Sequence, residues 1–222
     1  MVKPRVIETN EGIQGEFTVE AYDKMMRHLR DKGWIETQIV LKTGINHGLC
    51  LEIGPGPGYL GLDWLSKTDG TTLKALEISP DMIKIAEKNA AQYGLLERVK
   101  YVKGDAQKMP FDNETFDGSF TNGSLHEWSQ PAKIFDEIYR CLKQGGRYMI
   151  SDMRRDMNPL FKWFLKLMSK PKEIRAGLVS SINASYTVQE IESILSKTNL
   201  KEATVKKTRM GFEITGRKPE KV

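Results

Sequence analysis

The chain of 222 residues is long enough to bury a sizeable core and is compatible with one domain. Hydrophobic residues make up 39% and charged residues 28%, which is ordinary for a globular protein and excludes a disordered class. No apolar run approaches the roughly 18 residues that a membrane-spanning helix needs. The N-terminal stretch MVKPRVIETNEG lacks the apolar centre of a signal peptide, so we expect a cytoplasmic protein.

The net charge is +5, and part of this excess lies in the stretches 206–209 and 217–221. These basic residues do not alternate with aromatic side chains, which favours a solvated surface over a nucleic-acid interface. The two cysteines, Cys50 and Cys141, have a spacing that fits neither a metal site nor a redox pair. We therefore expect no metal.

The N-terminal part of the chain predicts helices. Apolar side chains recur at helical spacing between residues 17 and 43, Thr18 is a candidate N-cap, and Gly33 is expected to interrupt the run. The repeating residues of the first helix are Tyr22, Met25, Met26 and Leu29. We expect a helical cap over residues 1–45, ahead of the first strand.

A glycine-rich turn connects the first predicted strand, residues 47–53, to a helix predicted over residues 59–67. The strand carries one acidic residue, Glu52, near its end. Alternating glycines follow it: Gly54, Gly56 and Gly58. Such a turn brings backbone N–H groups and a helix N-terminus close to a ligand, because glycine tolerates positive φ and has no Cβ.

Two ligands compete for this turn. Gly56-x-Gly58-x-x-Gly61 matches the dinucleotide pattern, and Glu77 lies at a suitable distance along the chain to bind a ribose hydroxyl. Glu52-x-Gly-x-Gly-x-Gly instead resembles the first motif of class I S-adenosylmethionine (SAM) methyltransferases. The turn alone leaves both interpretations open, as well as a tight turn with no ligand.

Strands and helices alternate through the rest of the first two thirds of the chain. Further strands are predicted over residues 71–78, 98–104, 118–123 and 147–153, and helices over residues 79–93 and 131–142. Ser79 is expected to cap the first of these two helices with Pro80 at its first position. This alternation predicts βαβ units and a parallel sheet.

The C-terminal part has a different pattern. Two helices are predicted within residues 158–183, and Thr187 and Glu190 form a capping box for a third. The stretches 200–207 and 210–217 read as strands that pair as an antiparallel hairpin. The predicted fold is α/β: a Rossmann-like, doubly wound, mostly parallel seven-stranded sheet that ends in this hairpin.

Six motifs occur in the order typical of one family. They are YDKMMRHL, LEIGPGPG, LEISPDMIKIAEKNA, GDAQKMPF, FDGSFTNGSLHEW and LKQGGRYMISDMRR. With them the chain resembles the class I SAM-dependent methyltransferases, and within that class the small-molecule branch (methyltransferase type 11) that includes ubiquinone/menaquinone-biosynthesis enzymes. The resemblance is close over residues 20–155. It implies SAM as cofactor, a core over residues 46–155, a helical lid over residues 156–186, and a helix plus hairpin over residues 187–222 within a single domain.

The resemblance also implies roles for individual residues. Glu52 suits the ammonium end of SAM, Glu77 can accept from the ribose hydroxyls, and Asp105 can accept from the adenine amino group. The other cofactor-binding candidates are Gly54, Gly56, Gly58, Ile78, Ala106, Asn122 and Gly123, with Met109 as a possible second wall of the adenine site.

His126 is the candidate general base, because it follows the fourth strand and an imidazole titrates near neutral pH. The alternative is that His126 only shapes the pocket. Tyr22, Glu127 and Trp128 are candidates for the acceptor pocket. A small molecule is the expected acceptor, since Asn122 is followed by Gly123 rather than by the Pro-Pro-aromatic run of enzymes that methylate base or glutamine amines.

RNA or protein methylation and a non-catalytic SAM-binding module remain the alternatives.

A separate expectation concerns residues 158–183. The lysines Lys162, Lys166 and Lys170 fall on one narrow stripe of a helix that is otherwise apolar. This pattern predicts a lid over the acceptor site, packing on the sheet edge, or contact with an acidic membrane surface.

Overall fold

A computed structural model describes residues 4–7, 13, 15–168 and 175–220. Its seven-stranded sheet has the strands β1 (Leu49–Ile53), β2 (Thr72–Glu77), β3 (Val99–Lys103), β4 (Phe116–Asn122), β5 (Leu142–Met153), β6 (Thr204–Lys207) and β7 (Gly211–Arg217). The helices are α1 (Glu16–Asp31), α2 (Thr37–Lys42), α3 (Tyr59–Ser66), α4 (Pro80–Gln92), α5 (Pro131–Cys141), α6 (Pro159–Met168), α7 (Arg175–Ala184) and α8 (Val188–Leu195). Two short 3₁₀ helices cover Ala106–Lys108 and Leu125–Glu127.

The strand order is β3-β2-β1-β4-β5-β7-β6. Strands β1 to β5 run parallel, whereas β7 pairs antiparallel with both β5 and β6. The chain builds outward from β1 to β3 and then returns to β4 on the other side of β1, which creates a topological switch point at the carboxyl ends of β1 and β4. The predicted fold class, including the C-terminal hairpin, is confirmed.

The core consists of two apolar clusters, and side chains of the central strands contribute to both of them. One centres on Trp64, which is fully buried, lies 5.4 Å from the Phe120 ring and donates from Nε1 to the Ile45 carbonyl at 2.7 Å. The other includes Phe135, whose ring meets that of Trp128 edge-on at 5.8 Å. These contacts hold the carboxyl ends of β1 and β4 in a fixed position, which is the base of the site described below.

Two predicted helix starts match the structure. The Ser79 hydroxyl accepts from the Met82 N–H at 3.2 Å, with Pro80 at the first helical position. Thr187 and Glu190 form the capping box on α8, and the Thr187 N–H donates to the Glu190 carboxylate at 2.9 Å. Both signals are local, since the capping residue and its partner lie within three positions of each other.

Two local predictions are wrong. The chain enters α1 at Gly15, with φ +86°, so Thr18 lies inside the helix and does not cap it. Helix α5 passes directly into β5 at Leu142, five positions before the strand start predicted at residue 147, and Gly145 lies within the strand with φ +73°. The reason is tertiary pairing: Leu142 pairs with Phe116 of β4, and the register shifts before the pairing resumes at Gly118.

Candidate active site

A cavity of about 200 Å³ opens at the carboxyl ends of β1, β2 and β4. The glycine turn after β1 forms its floor, α1 and the segment before α2 cover one side, and the segment after β4 closes another. Twelve of the fifteen residues proposed from the sequence line it: Tyr22, Glu52, Gly54, Gly56, Glu77, Ile78, Asp105, Ala106, Asn122, Gly123, Glu127 and Trp128. Gly58, Met109 and His126 do not line the cavity. The position at the switch point is where open α/β sheets bind ligands.

The glycine turn is conformationally demanding. Gly54, Gly56 and Gly58 all have positive φ, at +61°, +55° and +85°. A Cβ on Gly54 would lie 2.8 Å from the Ser124 Cβ, and one on Gly58 would lie 2.6 Å from the Tyr101 hydroxyl. Gly58 is therefore required by packing at the start of α3, and its predicted cofactor contact stays a prediction.

A neighbouring carboxylate explains why position 61 of α3 is a glycine. A Cβ there would lie 2.2 Å from Glu52 Oε2 and 2.5 Å from Leu73 Cδ2, and both side chains are buried. We expect Gly61→Ala to lower the free energy of unfolding by about 1–3 kcal/mol through overpacking. Chemical denaturation measures this. Gly177→Ala in α7 is the matched helical control, because its Cβ would have open space around it; it should be neutral or stabilise by up to about 1 kcal/mol. Equal effects at both positions would contradict the packing argument.

Glu52 is a buried carboxylate without a complete set of partners. It is 2% exposed, lines the cavity, and its Oε2 has no hydrogen-bond partner among the described residues. Burial raises its pKa to about 8, a backbone N–H of Gly61 opposes this shift, and the charge of Glu77 adds to it. An unpartnered buried oxygen of this kind requires either a proton or a cation. The ammonium of SAM fits that requirement.

Glu77, at the end of β2, connects two parts of the cavity wall. Its Oε1 accepts from the N–H groups of Ile78 and Ser79 at 2.9 and 3.0 Å, and its Oε2 accepts from the Gly56 N–H at 3.2 Å. Burial raises its pKa, and these three N–H groups oppose the shift. A carboxylate offers about four acceptor positions, so capacity remains for a ribose hydroxyl.

Asp105 follows β3 and is exposed at the cavity edge. Its Oδ1 accepts from the Gln107 N–H at 2.8 Å, which starts the short helix that contains Ala106. Ile78 lies on the opposite part of this wall and is half-buried. Met109, in contrast, is buried in the core cluster and does not line the cavity. The cavity wall therefore includes Ile78 but not Met109, and the adenine contact of Ile78 stays a prediction.

The cavity is also lined by residues that the sequence did not reveal. Glu36, just before α2, accepts from the Asn122 side-chain amide, and Asn122 also donates to the Ser151 hydroxyl at 2.9 Å. Trp34 lies beside Glu36 in the same wall and is 59% exposed. A helical cap before the first strand was the only sequence signal, and it did not identify which cap residues face the cavity.

His126 lies behind this wall. It is 5% exposed, its Nδ1 lies 3.0 and 3.1 Å from the two carboxylate oxygens of Asp152, and its backbone N–H donates to Asp152 Oδ2 at 2.7 Å. A carboxylate only accepts, so the imidazole proton is on Nδ1. Nε2 then faces Glu127, with 4.0 Å to its Oε1. Asp152 was missed by the sequence analysis, because nothing local links the end of β5 to His126.

The charge of the cavity has one sign. The described charged residues that line it are Glu36, Glu52, Glu77, Asp105 and Glu127, and no lysine, arginine or histidine is among them. Tyr22, in α1, is half-buried, and its pKa is raised by burial first and then by the charges of Glu127, Glu77 and Asp152. Its hydroxyl therefore stays protonated and can donate.

Comparison with known proteins agrees with this geometry. Residues 51–150 match the family model described as a methyltransferase domain. Over 104 residues, 47% of this chain, the protein is 36% identical to the sterol 4-C-methyltransferase strm-1 of Caenorhabditis elegans, and the match covers 30% of that protein. It is 32% identical to the chloroplastic 2-methyl-6-phytyl-1,4-hydroquinone methyltransferase 1 of Oryza sativa, with 46% of this chain and 30% of the relative covered. The chain thus spans about a third of the length of these curated relatives.

Several solved structures match nearly the whole chain. Among them is a Methanococcus maripaludis protein named for S-adenosyl-L-methionine-dependent methyl transfer, with a TM-score of 0.76, 25% identity, and 98% of this chain and 99% of that one covered. The fold and the glycine-lined cavity are those of the class I SAM-dependent methyltransferases, in agreement with the match of residues 51–150 to the methyltransferase-domain model.

Proposed function

We propose that this protein transfers a methyl group from SAM to a small-molecule acceptor. The observation that carries the proposal is Glu52, a buried carboxylate with an unpartnered oxygen in the wall of a cavity beside the glycine turn. SAM, when bound, supplies an activated methyl group. Glu52 would hold its ammonium, Glu77 its ribose hydroxyls, and Asp105 and the Ala106 N–H its adenine. Positioning is then the main task of the protein.

We further propose that the acceptor is an amine or a neutral nucleophile rather than an anion. Among the described residues, the five charged ones that line the cavity are all acidic. Glu36 and Glu127 are the two that the proposed SAM contacts do not involve. Trp34, Trp128 and Tyr22 line the same space, and aromatic faces attract cations. A carboxylate or phosphate acceptor would meet only like charge there, which disfavours its binding.

Labelled SAM and pools of amines, phenols, carboxylic acids, RNA and protein test this proposal. Transfer confined to amines or neutral phenols would support it. Preferred transfer to anionic metabolites would contradict the acceptor class, and transfer to RNA or protein would favour the alternative substrates. SAM binding without transfer to any pool would instead favour a non-catalytic SAM-binding module.

The affinity for SAM is expected to depend on pH through Glu52. Because its pKa in the free protein is about 8, below that value a proton must leave before the carboxylate can pair with an ammonium. We therefore expect binding to tighten about tenfold between pH 6.5 and 7.5, with one proton released, as calorimetry in buffers of different ionisation enthalpy measures. Glu52→Gln should bind more weakly and lose this pH dependence. An equally steep dependence in Glu52→Gln would contradict the assignment.

A further inference from the structure

We propose that α6, together with the turn between β6 and β7, is a docking surface for an anionic lipid bilayer. The first observation is the exposed apolar face of α6. Leu160, Trp163, Phe164 and Leu167 are 69, 60, 50 and 51% exposed. Their spacing of three, four and seven residues places all four on one side of the helix. An amphipathic helix of a globular protein normally turns this side toward the core.

The opposite side of α6 faces the protein. Lys162 lies on the side of α6 away from the apolar stripe. Its Nζ donates to the Asn183 side chain of α7 at 2.8 Å. Arg175, at the start of α7, donates to the Leu167 carbonyl at 2.9 Å. These contacts orient the helix so that its apolar side points to solvent. No described residue of α6 or α7 lines the cavity, so the predicted lid role finds no contact here.

Basic residues flank the apolar face. Phe161 shares a surface groove with Lys206 and Lys207, which end β6, and with Arg209 of the β6–β7 turn. All three side chains are exposed, as is Met210 beside them, which adds an apolar group at the tip of the turn. Lys166 lies on α6 itself, and the sequence of α6 contains no acidic residue. Lys170, the third member of the predicted lysine stripe, lies outside the described residues.

The apolar stripe and the basic residues beside it together favour an anionic lipid bilayer as the partner of this surface. Tryptophan, phenylalanine and leucine enter the boundary between lipid headgroups and acyl chains, while lysine and arginine beside them meet the negative surface potential of anionic lipids. An acidic soluble partner would satisfy the charges but leave the apolar stripe in water. A second copy of this chain would bring together two surfaces of the same positive sign. The surface is also independent of the proposed catalytic activity, since it shares no residue with the cavity.

Vesicle co-sedimentation of the full chain tests the proposal. We expect binding to vesicles of phosphatidylcholine with about a third phosphatidylglycerol, and much weaker binding to phosphatidylcholine alone. Each basic residue near an anionic surface contributes about a fivefold change in partitioning, so Lys207→Gln with Arg209→Gln should lower it roughly 25-fold. High salt should have a similar effect, because these charges are screened.

Trp163→Ser with Leu167→Ser should abolish binding without lowering the melting temperature, since both side chains are in solvent. Leu96→Ser is the matched control: Leu96 is 49% exposed on a different surface and should leave binding unchanged. Equal binding to both kinds of vesicle, or none, would overturn the proposal. So would a marked loss of melting temperature in the double variant, which would mean that the face packs within the protein. A dimer in analytical ultracentrifugation that the double variant disrupts would assign the face to self-association instead.

Discussion

Replacing Glu77 with alanine is expected to weaken SAM binding by about 10- to 100-fold. A hydrogen bond to a charged group contributes about 1.5–3 kcal/mol, which corresponds to that range of affinity. Glu77 is 7% exposed, so solvent does not screen its contacts. It also accepts from the Gly56 N–H at 3.2 Å, and its loss would loosen the glycine turn at the same time. Isothermal calorimetry with SAM and with S-adenosylhomocysteine measures this, and both ligands should lose affinity alike because they share the ribose.

Glu97→Ala is the control for this experiment, because Glu97 is exposed and does not line the cavity. Asp105→Ala should have a smaller effect than Glu77→Ala, since the Asp105 carboxylate is exposed and a bond there is weakened by solvent. Tight NAD binding with no SAM binding would contradict SAM as the cofactor and would favour the dinucleotide interpretation of the glycine turn. Wild-type SAM affinity in Glu77→Ala would remove Glu77 from the site.

The sheet could be predicted because its signals are local. The apolar runs, the glycine turn and the caps at Ser79 and Thr187 each lie within a few residues of the features they determine. Parallel pairing then follows from the alternation of strands and helices. The same logic placed Glu52, Glu77 and Asp105 at one edge, since the carboxyl ends of parallel strands meet there. The structure brings all three into the wall of one cavity.

The predictions that were wrong or missing depend on distant partners. Leu142 begins β5 because it pairs with Phe116, which no pattern near Gly145 reveals. Glu36 is hydrogen-bonded to Asn122, which is 86 positions away in the sequence, and Asp152 is hydrogen-bonded to His126, which is 26 positions away. The outward face of α6 is a similar case. Its sequence predicts an apolar helix, but contacts with α7, such as that between Lys162 and Asn183, determine which side is in solvent.

Two pairs of carboxylates give the cavity its negative charge. Glu52 and Glu77 are buried with raised pKa values, and each becomes a better anion when a cation or a hydroxyl donor binds. Glu36 and Glu127 line the same cavity. A positively charged cofactor and an amine acceptor would both be attracted to this field. The same field stabilises a proton on the acceptor, so release of that proton requires a base within reach, which leads to His126.

Replacing His126 with glutamine is expected to lower kcat by about 10²–10⁴-fold while leaving SAM affinity nearly unchanged. A protonated amine must lose a proton before its nitrogen can attack the methyl group, and a phenol must lose its proton as the oxygen attacks. His126 lies behind the wall, so the proton would reach it by way of Glu127, which lines the cavity 4.0 Å from Nε2. The protonated imidazole would then lie between the carboxylates of Glu127 and Asp152, which stabilise its positive charge. Single-turnover rates and the acid limb of the pH–rate profile measure this role, and the limb should disappear in His126→Gln.

His47→Gln is the matched control, since His47 is exposed and should leave both kcat and the pH profile unchanged. Asp152→Asn separates the chemistry from the packing. It keeps the size of the side chain, but its uncharged amide no longer stabilises the imidazolium, so the acid limb should shift to lower pH, because His126 then gains its proton less readily. If Nδ1 of His126 only anchors the segment after β4, both variants should instead lower the melting temperature while kcat changes less than about tenfold. A His126→Gln variant with near-normal kcat and an intact acid limb would leave Glu127 as the group that receives the proton, because it is the carboxylate in the wall next to the acceptor end.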